Sequence, residues 1–498
     1  MQTLKLWSKM LFRQWYKKLI LAAILGVGLY CSFYLLDNGK NKWKFSKSTQ
    51  TTRQKTESQD VVEIDPESQI QDNQNVYKVP KENIHIHTCP ACFGKDLCTD
   101  IETGSLELYK NSKTESHDLS WREAILHKAD KVVVSSVSDS SWNKFDQYIC
   151  NNASKKFPCD VSTGIMASYL ASNRVMTADG LRNLYRVLDK SRSEVVLPIC
   201  ATNKLVDELK ATFDDDGDGQ LNKEEQAQLM TALLMHPSYV LLKFQDTVNT
   251  NLPIPNFQGT CGRLAVWEGG LTPLEDHLQE SFEERAGLAS QLLQLVDDFQ
   301  NEDPNWYFLY TEFSYNSLSV TKEGEILLTN LQDVAIIDKT LFPQTEDLIS
   351  GTNERLCNDI CFQKFTRDIL TSPNVTGVCS QLRHYGQLMY AIVCKQILSD
   401  LEEHKTEGFF NYDGNKDQQK SEYSGLLHSP PEKDRENIEE VLRECVQETT
   451  AGGRNQAVEE LQDILEIYLS YNDVDHENED GNDDEYEEEE NDKESENY

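Results

Sequence analysis

The sequence predicts an α+β fold, with a strand-rich front half, a helical back half and one membrane-crossing helix ahead of both. Three observations carry that expectation. Short apolar runs such as "DKVVVSSV" (130–137), "YVLLKF" (239–244) and "RLAVWEG" (263–269) read as strands, and they fall before residue 270. Longer stretches with apolar residues at helical spacing follow, at 274–299, 380–404, 436–445 and 455–469. An uncharged stretch, "LILAAILGVGLYCSFYLL", occupies residues 19–36.

Taken in chain order, that stretch is just long enough, at about 1.5 Å per residue, to cross a bilayer. Lys5, Lys9, Arg13, Lys17 and Lys18 precede it. A positive flank stays cytosolic, so residues 1–18 are the cytosolic end and 19–36 a type II signal-anchor. A cleaved signal peptide is the rival, but its apolar region is shorter and ends in small residues, whereas this one ends "FYLLDNGK". Everything after Asp37 then lies in the secretory lumen. Residues 37–80 are polar, without apolar periodicity, and read as a stem.

Cysteine usage agrees with an oxidising compartment. Of 13 cysteines, Cys31 falls in the membrane stretch. The others are Cys89, Cys92, Cys98, Cys150, Cys159, Cys200, Cys261, Cys357, Cys361, Cys379, Cys394 and Cys445, an even set that suggests disulfides of unspecified pairing. The cluster "CPACFGKDLC" lacks a matching second pair, which argues against zinc. His85 and His87 in "IHIHTC" are a weaker metal candidate and read as surface strand. "NAS" at Asn152 and "NVT" at Asn374 are glycosylation sequons.

Asp and Glu number 84 against 48 Lys and Arg, a formal charge of −36. So acidic a chain repels phosphate backbones, which excludes a nucleic acid partner. Part of the excess lies in 472–498, including "DDEYEEEEND", which reads as a disordered acidic tail.

The sharpest motif is "DDDGDGQLNKEE". A twelve-residue EF-hand loop needs oxygen ligands at positions 1, 3, 5, 7, 9 and 12, with glycine at 6. Counted from Asp214, these are Asp216, Asp218, the Gln220 carbonyl, Asn222 holding a water, and Glu225, with Gly219 at the turn. Leu221 supplies the apolar residue at position 8. Helical patterns, "NKLVDELKATF" and "EEQAQLMTALLMH", flank the loop. The expected cofactor is Ca2+, in an insert of about residues 200–235 with the loop at 214–225.

With these residues in view, "FDQYICNNASKKFPCD", "QGTCGRLAVWEGG", "YFLYTEFSYNSLSV", "DGNKDQQKSEYSGLLHSPP" and "IEEVLRECVQ", together with the first cysteine cluster, resemble the divergent protein kinase domain family of secretory-pathway proteins, in the branch of the deleted-in-autism protein (divergent protein kinase domain 2). The resemblance threads roughly 84–470. It implies a protein-kinase-like small lobe at 84–270 carrying the EF-hand insert, a helical large lobe at 271–470, and residence in the endoplasmic reticulum or Golgi.

A kinase holds the phosphates with a strand lysine, orients the acceptor with one carboxylate and binds Mg2+ with another. In the family's register Ser135 takes the lysine's place, and Lys131, four residues earlier and facing differently, is the candidate substitute. Glu312 takes the catalytic-loop carboxylate's place, and Ser317 that of the metal-binding asparagine, one residue from Asn316. Asn330 takes the place of the Mg2+ carboxylate, with Asp333 three residues on as a candidate rescue. Three altered charges make ATP with Mg2+ a doubtful ligand.

The reading is therefore a calcium-binding pseudokinase of the endoplasmic reticulum or Golgi membrane, acting through an unknown lumenal or extracellular protein partner, and secreted if released from its stem. The alternatives are an active lumenal kinase using displaced residues, and a lumenal calcium buffer.

Overall fold

The computed structural model describes residues 76–478 apart from 111, 117–118, 189–196, 343–356, 358, 373–374, 386, 406–423 and 451. All of these belong to one compact unit, Ser68–Tyr498. The predicted cytosolic end, the membrane stretch 19–36 and most of the stem lie outside the described residues. Among those described, no helix is long and apolar enough to cross a membrane.

The front half is a seven-stranded antiparallel sheet. Its strands are β1 (Val76–Lys78), β2 (Leu106–Tyr109), β3 (Thr114–Ser116), β4 (Leu119–Leu126), β5 (Asp130–Val137), β6 (Phe257–Cys261) and β7 (Leu264–Glu268). They run in the order β1-β2-β4-β5-β7-β6, with β3 on β4. Strand β5 is central: Ser135 sits opposite Trp121 of β4 and Ala265 of β7. The β-branched run Val132-Val133-Val134 suits this pleated, two-sided position.

Alternation divides β5 between two cores. Val132 and Val134 pack with Leu106, Leu108 and Val266 on one face. Val137, with Val133 beside it, joins the main core on the other. Helix α1 (Asp139–Asn152) follows, started by Ser138, whose hydroxyl takes the Ser141 N–H.

Three helices lie between β5 and β6 around the acidic loop: α2 (Asn203–Phe213), α3 (Lys223–Met235) and α4 (Pro237–Val248). The expectation of a strand at 239–244 is wrong, because α4 spans it. Pro237 sits in its first turn and His236 caps it. Tyr239 to Leu242 and Phe244 are all buried, so the helix is apolar around its girth. A short run of that kind has no period by which to tell it from a strand.

After β7, strand β8 (Thr272–Pro273) leads to helix α5 (Phe282–Asn301). The helix predicted over 274–299 is broken at Ser281, whose side chain forms a capping box with Glu284. Beyond α5 come β9 (Trp306–Leu309), the hairpin β10 (Leu318–Val320) and β11 (Ile326–Leu328), and β12 (Ala335–Asp338). Strand β10 pairs β11 and β8, and β12 pairs β9.

The back half is helical as expected. The single helix predicted over 380–404 is divided into Leu382–Tyr385, Leu388–Val393 and a π turn, Cys394–Leu398. Helices α6 (Arg435–Val446) and α7 (Gly453–Asn478) close the fold. Helix α7 runs to Asn478, so the first seven residues of the predicted tail, 472–478, are helical. The loop "SGLLHSPP" is fastened to α5, where the Arg285 guanidinium donates to the carbonyls of Leu426 and His428.

The cysteines form six disulfides: Cys89–Cys92, Cys98–Cys261, Cys150–Cys159, Cys200–Cys379, Cys357–Cys361 and Cys394–Cys445. The first cluster is thus divided between a local link and a bond to the end of β6. His85 and His87 are not in a strand. His85 ends a short helix with φ 54° and His87 lies in the 3-10 turn that follows.

Candidate functional site

The central strand brings Ser135 inward, 0% exposed. Its hydroxyl lies 2.8 Å from His236 Nε2. The other ring nitrogen, Nδ1, accepts the Tyr239 N–H at 3.4 Å, so the neutral ring carries its hydrogen on Nε2 and donates to Ser135. The rings of Phe93 and Trp267 meet His236 edge-on. The pair is therefore closed and uncharged, at the position that the resemblance assigns to a phosphate-binding lysine.

Lys131 does not face differently from Ser135. Four residues separate them, and in a strand an even spacing keeps one face. What separates them is about 13 Å of strand, leaving Lys131 at the exposed start of β5.

Burial pushes the His236 pKa down from 6.5 to about 3. The folded chain keeps the ring neutral where the unfolded chain would take a proton. Its stability contribution is therefore complete above pH 6.5 and is lost progressively as pH falls toward 3. Urea denaturation at pH 7.5 and pH 5 should show wild type losing on the order of 2 kcal/mol more than H236N, whose amide does not titrate. Equal losses in the two proteins would contradict the buried neutral ring.

The loop between β9 and β10 and the turn between β11 and β12 bring the residues that the resemblance assigns to the remaining kinase roles around Tyr310. Burial, and behind it the charges of Asp333 and Glu312, hold this phenol well above its usual range. Glu312 is exposed, and its Oε1 accepts the Thr311 hydroxyl at 3.2 Å. Ser317 is buried and bonds back to Ser314, donating to its carbonyl at 2.7 Å and accepting its N–H at 2.9 Å. The Asn330 N–H reaches the Ser317 carbonyl at 3.3 Å.

Glu312, Ser317, Asn330 and Asp333 are thus brought together, but Ser317 is spent on its own turn. Asn316 is exposed. Among the described residues, Glu312 and Asp333 have no third acidic, histidine or cysteine group close enough to complete a metal cluster with them.

The acidic loop lies between α2 and α3. Carboxylate oxygens of Asp214, Asp216 and Asp218 all fall within 4.8 Å of one another. Three like charges held so close need a reason, and backbone bonds supply part of it. Asp214 takes the N–H groups of Gly217 and Gly219 at 3.0 and 2.7 Å. Asp216 takes that of Asp218, and Asp218 that of Gln220. Gly219 has φ +82°, with open space where a Cβ would stand, so backbone conformation rather than crowding selects glycine there.

Glu225 is only 6% exposed, and its Oε2 accepts the Asn222 N–H at 2.8 Å. Asn222 Oδ1 caps α3 through the N–H groups of Glu224 and Glu225, a duty its expected water-holding role did not include. The donor set is hard oxygen throughout, which suits Ca2+.

Two anchors tie this loop to the rest of the domain. Lys243 of α4 pairs with Asp215 at 2.8 Å and lies over the Phe213 ring. At the start of α2, the Thr202 hydroxyl donates to Asp338 at the end of β12. His236, Tyr310 and Lys243 escaped the sequence reading. Only His236 carried a local signal, as a residue before proline at a helix start.

The sheet order, the loop after β9 and the β10–β11 hairpin define an α+β, kinase-like domain. Residues 230–448 match the family model described as the protein-kinase domain of FAM69. Divergent protein kinase domain 2A of Xenopus tropicalis is 22% identical over 405 residues, 77% of this chain and 87% of that protein. The human protein of the same name is 21% identical over 416 residues, 77% of this chain and 87% of its own length. Divergent protein kinase domain 2B of Bos taurus is 21% identical over 291 residues, 53% of this chain and 63% of that protein. A solved structure from Mycobacterium tuberculosis, the Rv3197–erythromycin complex, covers 77% of this chain and 80% of its own at a TM-score of 0.27 and 8% identity, too slight a likeness to argue from. The chain is thus similar to the divergent protein kinase domain proteins and carries a kinase-like domain.

Asn152 is exposed at the end of α1, where its amide donates to the Tyr148 carbonyl. Asn374 lies outside the described residues.

Proposed function

We propose that the chain is a calcium-binding, catalytically inactive kinase-like protein, anchored in the secretory-pathway membrane and acting through a protein partner. The observation that carries this reading is the cluster of three aspartates on a loop between two helices. Asp214, Asp216, Asp218 and Glu225 would supply carboxylate oxygens and Gln220 its carbonyl; bound Ca2+ would neutralise their mutual repulsion. Its chemistry there is structural, fixing α2 against α3.

The closed Ser135–His236 pair and the neutral Asn330 support inactivity, because a metal triphosphate needs a cation and an acid that these positions do not supply. The uncharged stretch 19–36, its basic flank and the six disulfides support a lumenal setting.

Thermal unfolding of the purified full chain tests this. Ca2+ should raise the midpoint, and ATP with Mg2+ or Mn2+ should leave it unmoved in wild type and D333A alike. A nucleotide-dependent rise that vanishes in D333A would favour the active kinase with displaced residues. Persistence of nearly all bound Ca2+ after removal of residues 479–498 is expected; loss of most of it would favour the calcium buffer.

A further inference from the structure

A cavity of about 340 Å3 opens on the face of the front sheet opposite Ser135. Val134 and Ser136 line it, so the residue between them points the other way, and the cavity is separate from the kinase-like loop positions. Its wall is unusual for a chain of charge −36. Lys113, Arg122 and Arg263 reach it, against Asp139 as its acidic lining residue among those described.

The two arginines differ in how they are held. Arg263 is 4% exposed, bonded to both oxygens of Asp146 at 2.6 and 3.1 Å, and stacked 3.9 Å over Trp142. Its charge is matched and its plane is fixed. Arg122 is half-buried on β4, and its guanidinium meets the Tyr77 hydroxyl and, among the described residues, no carboxylate. Among the described residues its charge therefore has no anion opposite it, and an incoming one would supply a charge-assisted partner.

Neutral donors complete the wall. The Ser120 and Ser136 hydroxyls lie 2.8 Å apart across the strands, and Asn83 and His85 close one side. Burial, and after it the charge of Arg263, hold the His85 pKa below its usual value, so the ring serves as a hydrogen-bonding group rather than a cation. Val79, Leu108 and Trp142 add apolar surface that would suit an organic ester better than a bare ion.

We infer that this cavity is an anion site that takes a phosphate or sulfate monoester, with the Arg122 guanidinium as its principal contact. The inference is independent of the calcium loop. The group would come either from a free small ester or from a modified side chain of a partner.

The test is calorimetry on the purified full chain in calcium-free buffer at fixed ionic strength, titrating inorganic phosphate, O-phosphoserine and a phosphoserine peptide. Saturable binding is expected, weakened about tenfold in R122Q, the worth of one charge-assisted bond. R122K should recover much of it, which separates lost charge from lost folding. S136D, placing a carboxylate in the cavity, should abolish binding, and K322Q on the exposed hairpin should change nothing. Tighter binding of the peptide would identify a modified partner as the source, and equal binding of peptide and phosphoserine a free ester; either supports the site. No saturable binding of any probe, or equal binding by R122Q and wild type, overturns it.

Discussion

Replacing Asp214 by Asn, or Glu225 by Gln, should weaken calcium binding by about 100-fold or more, because the loop's affinity is set by the number of its charged oxygens. Calorimetry on the chelator-stripped full chain measures this. The choice of Gln at 225 matters. Glu225 also accepts the Asn222 N–H, so an alanine there would lose a helix cap worth about 1 kcal/mol along with any ligand. Glutamine keeps an acceptor and removes the charge. D215N is the matched control, since Asp215 faces Lys243 rather than the other aspartates. Binding unchanged in D214N and E225Q would end the calcium assignment, and an equal loss in D215N would mean general electrostatics rather than a coordinating loop.

Removing the Cys200–Cys379 disulfide should destabilise the domain about twice as much as removing Cys150–Cys159. The first closes a separation of 179 residues and the second one of 9. In the chain-entropy account these loops contribute about 5 and about 2.5 kcal/mol. Cys200 precedes α2, so the longer link also ties the start of the acidic-loop insert to the helical half. Urea denaturation of C200A/C379A and C150A/C159A under non-reducing conditions gives the comparison. Equal destabilisation would show that loop closure is not what these bonds contribute.

The acidic loop was legible because its pattern lies within twelve consecutive residues, and turn glycines and carboxylates at alternate positions have few other uses. The disulfide pairing was not, since Cys98 and Cys261 are 163 positions apart and nothing local relates them. The same distance problem hid the partner of Ser135. Ser135 could be singled out on its strand, but the histidine that bonds it stands 101 residues away. Strand β4 was missed because its buried residues, Leu119, Ala124 and Leu126, do not alternate along its length, with half-exposed Trp121 and Arg122 between them. Helix α4 was mistaken for a strand because burial on all sides erases amphipathic spacing. That Ser317 bonds back to Ser314 could not be read from the sequence, because it depends on the path of the backbone through the turn.

The proposed inactivity of the kinase-like frame is the central claim. Incubating the purified full chain with radiolabelled ATP, Mg2+ or Mn2+ and a general protein acceptor tests that most directly. No label should pass to the acceptor or to the chain itself in wild type. Label that does pass, and that stops in E312A or D333A, would contradict the account.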